Sequence, residues 1–188
     1  MSTTQILAVS GSLQAQSSNG ALLRALGSSL ESEFGAGMET HFTRALHELP
    51  PFNTDVDVAP ALPAVADWRR ELAAADAVLF ATPEYAFGIA GSLKNALDWV
   101  VGSGELVEKP VILIGASTLE TAAGFAMDAL ERTIRVMSAD VVGTLRVPFV
   151  RSKLSPEGEV TDPELHGSLD GLAMQLRERL ERGAVSSC

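Results

Sequence analysis

The chain reads as an α/β protein with a five-stranded parallel sheet and helices on both faces, and three features predict it. Short β-rich runs alternate strictly with longer segments whose apolar residues recur at helical spacing. The runs at 6–9 (ILAV), 77–81 (AVLFA) and 111–114 (VILI) are continuously apolar, as strands covered on both faces are. Each is followed by small or polar turn residues.

The elements follow in order. Residues 6–9 form a buried strand stopped by Ser10, Gly11 and Ser12. Leu22, Leu23, Leu26 and Leu30 mark the first helix, capped by Ser17 or Ser18. Residues 38–43 form a more polar strand that suits an edge. Residues 48–63 hold four prolines and three acids and read as a long surface loop. Val65, Trp68 and Leu72 mark the second helix, and 77–81 the third strand. Leu93, Ala96, Leu97, Val100 and Val101 form a helical stripe. Its width, with Trp99 just off centre, suits a face covered by a second copy. Pro110 opens the fourth strand, 111–114, and Met127, Leu130, Ile134 and Met137 face inward from the next helix. Residues 141–147 are the last strand, 151–161 a polar loop, and Leu165, Leu169, Leu172, Leu176 and Leu180 line the closing helix. Right-handed crossovers and a polar second strand predict the order 2-1-3-4-5. With no repeat or linker in view, residues 1–188 are expected to form one domain.

Bulk properties exclude several classes. A net charge of −10 over 188 residues disfavours nucleic-acid backbones and anionic membrane surfaces. The single cysteine, Cys188, permits no intramolecular disulfide and makes a poor nucleophile from the last position. His41, His47 and His166 lack metal-ligand spacing, so no metal site is expected. The N-terminus lacks the basic and apolar regions of a signal peptide, and no apolar run reaches membrane-spanning length. The expectation is a soluble, cytoplasmic protein.

In an open α/β sheet ligands bind beyond the carboxyl ends of the strands. After the first strand, residues 10–19 (SGSLQAQSSN) gather hydroxyls, amides and backbone N–H groups where a helix begins, an arrangement suited to phosphate or simply to a turn and a cap. No GxGxxG pattern and no Walker lysine accompanies them. After the third strand, residues 82–91 (TPEYAFGIAG) combine aromatics and glycines, suited to a flat apolar ring or to ordinary loop packing.

The motifs GSLxxxSxN (from Gly11), PEYxxxxxGxLKNxxDW (from Pro83) and Gly115-Ala116-Ser117, in this order, resemble the NADPH-dependent FMN reductase family. The resemblance runs from about residue 5 to residue 182. It implies a flavodoxin-like fold and an FMN-dependent NAD(P)H oxidoreductase that passes hydride from NADPH or NADH to a quinone, free flavin or similar small-molecule acceptor. Ser10, Ser12, Gln14, Ser17, Ser18 and Asn19 would surround the FMN phosphate. Pro83, Glu84, Tyr85, Ala86, Phe87 and Gly88 would lie along the ring, with Ser117 and Thr118 on its other side. No side chain need be catalytic, since the flavin carries the chemistry. Asn95 and Asp98, at i and i+3, are expected to brace the ring loop structurally. The family commonly completes its site across subunits, so a homodimer or homotetramer is implied.

Several positions depart from the family pattern. Gln14 replaces an arginine, Ala86 an asparagine, Ala90 a proline and Glu131 an arginine, while Leu119, Ala122 and Ala123 stand at glycine positions. These departures keep two alternatives open: a member with weakened or lost FMN binding that acts as a flavin-free enzyme or interaction protein, and a flavodoxin-type electron carrier.

Overall fold

The computed structural model describes residues 3–34, 37–43 and 45–186. Met1, Ser2 and Cys188 lie outside the described residues. The elements are β1 (Thr4–Ser10), α1 (Ser18–Phe34), β2 (Met38–Phe42), α2 (Pro63–Ala74), β3 (Ala77–Thr82), β4 (Glu84–Tyr85), β5 (Gly88–Ile89), α3 (Gly91–Asp98), β6 (Pro110–Ala116), α4 (Gly124–Val136), β7 (Asp140–Val147) and α5 (Pro163–Ser186). The main sheet is parallel with order β2-β1-β3-β6-β7, the arrangement the alternation and the polar edge strand predict.

Period-two alternation divides the core. Leu7, Val9, Val78, Phe80, Val111 and Leu113 point to one face and pack with Trp68, Leu97 and Ile134 from α2, α3 and α4. Ile6, Ala8, Leu79, Ala81, Ile112 and Ile114 point to the other and pack with Leu22, Leu26, Leu169 and Leu176 from α1 and α5. Burial of both faces explains why these strands are unbroken apolar runs.

Caps mark the ends of the two helices on the second face. Ser17 Oγ accepts from Gly20 N at 3.4 Å, which makes Ser17 rather than Ser18 the cap of α1. Asp162 Oδ1 accepts from Leu165 N at 2.8 Å at the start of α5. That backbone hydrogen bond, with Lys153 alongside, holds the carboxyl of Asp162 below its ordinary value.

The structure differs from the sequence reading in four places. Helix α3 ends at Asp98, so Val100 is buried in the following turn and Val101 is exposed. Trp99 is not left for a second copy. Its Nε1 donates to Pro50 O at 2.9 Å and Phe52 meets its ring edge-on at 5.1 Å, so the chain's own proline-rich loop covers it. The 151–161 segment is folded, with a 3-10 turn at Val150–Lys153 and a bridge between Leu154 and Val160. The ring loop contains the antiparallel β4–β5 hairpin.

Candidate functional site

Strands β1, β3 and β6 are neighbours, so their carboxyl ends at Ser10, Thr82 and Ala116 deliver three loops to one edge of the sheet. Gly11 lets the first loop press against the second. Its N–H donates to Ala81 O at 2.7 Å and its carbonyl accepts from Ser92 Oγ at 2.9 Å. A Cβ at Gly11 would lie 3.2 Å from both Ala81 O and the Cβ of Leu93.

Within the first loop the hydroxyls organise the backbone. Ser10 Oγ donates to Ser12 O at 3.1 Å, and Ser12 Oγ accepts from Gln14 N at 3.4 Å. Ser12 and Ser17 thus act as acceptors and keep their O–H protons uncommitted. Ser12, Ser17 and Asn19 are buried, while Gln14 is exposed. Asn19 Oδ1 is buried with no hydrogen-bond partner. Among the described residues, the backbone N–H groups of residues 15–19 donate to no other protein group. The loop 11–19 contains no charged residue.

The second loop is built differently. Ala86 (φ 48°) and Phe87 (φ 59°) form the left-handed turn of the β4–β5 hairpin. Thr82 Oγ1 accepts from Ala90 N at 3.4 Å and closes the base of the loop. Ala90 has φ −52°, a value proline would impose, so the change from the family's proline leaves the backbone course intact. The Glu84 carboxylate is committed to the start of α4, where it accepts from Ala126 N at 3.0 Å. Tyr85 and Phe87 are 52% and 74% exposed, and Phe87 meets Phe125 edge-on at 5.3 Å.

In the third loop Ser117 N donates to Val147 O at 3.1 Å, and Ser117 Oγ accepts from Leu119 N at 3.0 Å. Thr118 and Leu119 are exposed. Ala122 (φ 49°) and Ala123 (φ 57°) are left-handed, so two of the three glycine positions keep a glycine-like backbone without glycine, and Leu119 does not need one.

Asn95 does not brace the ring loop. Its Oδ1 accepts from Phe52 N at 2.7 Å and its Nδ2 donates to Pro50 O at 2.9 Å, which pins the proline-rich loop. Asp98 pairs with Lys94 at 2.5 Å. Thr82 and Ser92 hold the site together without having been picked out from the sequence. Thr82 closes its own loop through Ala90 N, eight residues on, whereas Ser92 reaches Gly11 O, 81 residues back, and no local pattern announces either.

A parallel order 2-1-3 with three loops gathered at the adjoining carboxyl ends defines a flavodoxin-like α/β protein. A flavodoxin from Pseudomonas aeruginosa shares the fold at TM-score 0.58 and 15% identity, covering 93% of this chain and 99% of its own. The model of the family "NADPH-dependent FMN reductase" matches residues 4–151, and the chain belongs to that family. It is 32% identical over 180 residues to a quinone reductase of Escherichia coli, covering 92% of this chain and 91% of that one. An NAD(P)H-dependent FMN reductase of Pseudomonas aeruginosa is 40% identical over 116 residues, 60% of each chain. An Arabidopsis thaliana NADPH:quinone oxidoreductase is 40% identical over 96 residues, so the match spans only 48% of that relative's length. Among solved structures, the flavoenzyme NAD(P)H:(acceptor) oxidoreductase FerB of Paracoccus denitrificans superposes at TM-score 0.75 and 26% identity, covering 94% of this chain and 98% of its own.

Proposed function

We propose that this protein is an FMN-dependent NAD(P)H oxidoreductase whose acceptor is a quinone, a free flavin or a similar small molecule. Family membership supports the reading. The observation that carries it is the pairing, on one sheet edge, of an uncharged loop rich in uncommitted donors with an exposed aromatic hairpin.

The residues fit the cofactor. Asn19 Oδ1 is buried without a partner, so the polar end of this side chain is left for a ligand, and its Nδ2 offers donors for an anion. The hydroxyl protons of Ser12 and Ser17 and the N–H groups of residues 15–19 add donors at the positive end of α1. In this reading Ser10, Ser12, Gln14, Ser17, Ser18 and Asn19 hold the phosphate end. Pro83, Glu84, Tyr85, Ala86, Phe87 and Gly88 hold the ring, Glu84 through its backbone because its carboxylate caps α4. Ser117 and Thr118 border the ring from the third loop. FMN, when bound, would supply the redox chemistry, a two-electron exchange between the nicotinamide donor and the acceptor. The protein's part in this reading is to position the ring, and the proton that a quinone takes up with hydride can come from solvent, so no side chain need transfer it.

The whole chain, residues 1–188, acts as one domain in this reading. We place it in the cytoplasm as a homodimer or homotetramer. Exposed Phe87, Phe125 and Leu119 at the site edge support the assembly, because apolar side chains gathered there are covered by a second copy. Titration of flavin-stripped protein with FMN, followed by flavin fluorescence, should show saturable binding. The loaded protein should then oxidise NADPH or NADH in the presence of a quinone. A colourless protein indifferent to added FMN would overturn the reading. Light scattering at the mass of a single chain would overturn the assembly alone.

A further inference from the structure

We infer that Ser92 is a positioning residue: by fixing the Gly11–Ser12 peptide it aims the Ser12 hydroxyl and sets the first loop against the second. The inference deepens the proposed function and rests on it for the identity of the ligand; the held peptide itself is read without one.

Ser92 lies between Gly91 and Leu93, at a position that the motif PEYxxxxxGxLKNxxDW leaves open. It stands in the first turn of α3, a helix whose N-terminus has no side-chain cap. Its hydroxyl is directed out of the helix and donates to Gly11 O at 2.9 Å, across 81 residues of chain. The peptide that carries this carbonyl also carries the N–H of Ser12, and that N–H donates to Ser10 Oγ at 3.2 Å. One peptide group is therefore held at both ends, by a side chain from α3 and another from the end of β1. Ser10 Oγ completes the turn by donating to Ser12 O at 3.1 Å.

What lies on either side of this peptide gives the restraint its use. A Cβ at Gly11 would come within 3.2 Å of Leu93 Cβ and 3.3 Å of Ala90 Cβ, so the close approach to α3 that brings Ser92 within reach favours glycine. Glycine also leaves the peptide after it free to rotate, and a rotated peptide carries Ser12 with it. On the far side Ser12 is buried, accepts from Gln14 N at 3.4 Å and keeps its O–H proton uncommitted. The direction of that proton follows the backbone at Ser12, and hence Ser92. The second loop supplies a firm base. Thr82 is fully buried, and its Oγ1 donates to Pro83 O at 2.8 Å and accepts from Ala90 N at 3.4 Å, which joins the start of α3 to the end of β3. Ser92 is mounted on that base, beside the ring hairpin, and ties it to the first loop. A ligand that engages both loops gains most when their spacing is fixed before it arrives, because a loose peptide has to be ordered on binding.

The test compares the intact protein with Ser92→Ala and with Ser92→Thr, which keeps the hydroxyl. FMN and riboflavin, which lacks the phosphate, are titrated by flavin fluorescence, and amide exchange at Ser12 is followed by NMR without ligand. Ser92→Ala is expected to weaken FMN by about 10-fold, to change riboflavin less than about 2-fold and to speed exchange at Ser12, with Ser92→Thr close to the intact protein in each. In a Ser12→Ala background the same change should alter FMN less than about 2-fold, because the effect passes through that hydroxyl. Where flavin binds, the ratio of FMN to riboflavin affinity decides. A purely structural role would lower the melting temperature and leave that ratio where it was, and this result overturns the inference. An equal loss for both flavins, or a full effect in the Ser12→Ala background, overturns it as well. If the intact protein binds neither flavin, the redox reading fails on its own. Exchange at Ser12 that rises about 10-fold in Ser92→Ala and recovers in Ser92→Thr then still supports the held peptide, and unchanged exchange overturns it.

Discussion

The loop after β1 and the loops after β3 and β6 share one edge of the sheet but are built by opposite means. The first is held by hydroxyls that accept backbone N–H groups, and none of its described residues is left-handed. The other two use four left-handed non-glycine residues, Ala86, Phe87, Ala122 and Ala123, and a carboxylate cap from Glu84 to α4. What each leaves unmet also differs. At the first it is a buried amide oxygen and a row of free N–H groups. At the others it is backbone strain, of order 1–2 kcal/mol per left-handed residue, and exposed aromatic surface. A ligand with an anionic end and a flat apolar end meets both demands at once, which neither loop shows alone.

Substitutions in the three loops sharpen or break that contrast, the largest effect first. Gly115→Ala places a Cβ 2.3 Å from Met127 Cγ beneath the left-handed turn of the third loop. Met127 is buried and has little room to move, so a loss of about 1–3 kcal/mol is expected by chemical denaturation. Gly11→Ala, whose nearest contacts are 3.2 Å away, should cost less. The reverse ranking would place the tight seam on the phosphate side.

Asn19→Leu removes the unpartnered buried oxygen while keeping the branched shape of the side chain. Thermal melts of the unliganded protein should show equal or slightly higher stability, whereas fluorescence titration should show FMN binding about 10–100-fold weaker. A large loss of stability with unchanged FMN affinity would make Asn19 a structural residue.

Gln14→Arg adds a guanidinium at an exposed position of the uncharged loop. FMN should bind about 10-fold more tightly at low salt, with the gain shrinking as ionic strength rises. A gain below about 2-fold would mean that the backbone N–H groups of the loop carry the phosphate without help from position 14.

Ala86→Gly relieves a left-handed alanine that is exposed, so no buried methyl group is lost. Stability should rise by about 0.5–1 kcal/mol, read as a shift in the urea midpoint. At Ala122, which is buried, the lost methyl contact offsets part of the same relief. Equal effects at both positions would contradict this account of the strain.

Sequence and structure agree where the governing physics is local. The runs at 6–9, 77–81 and 111–114 are buried strands because both sheet faces are covered, and that double burial is written into every residue of the run. Ser17 is legible as a cap because its partner N–H lies three residues away. Tyr85 and Phe87 are legible as an aromatic loop, but not as a hairpin. The short Glu84–Tyr85 and Gly88–Ile89 pairing turns on two left-handed residues, neither of them glycine.

By itself, then, the sequence determined the parallel sheet, its edge strand, the two-sided core and the three loops at one end of the sheet, because periodicity and turn chemistry act within a few residues. Only the tertiary structure decided that Asn95 and Trp99 hold the proline-rich loop rather than the ring loop or a second copy. It alone decided that Ala122 and Ala123 keep a glycine-like course, and that Ser92 reaches the carbonyl of Gly11. These outcomes depend on which distant segments the folded sheet brings within hydrogen-bonding range, and such distances are set by the packing of helices on the two sheet faces, not by any neighbour in the chain.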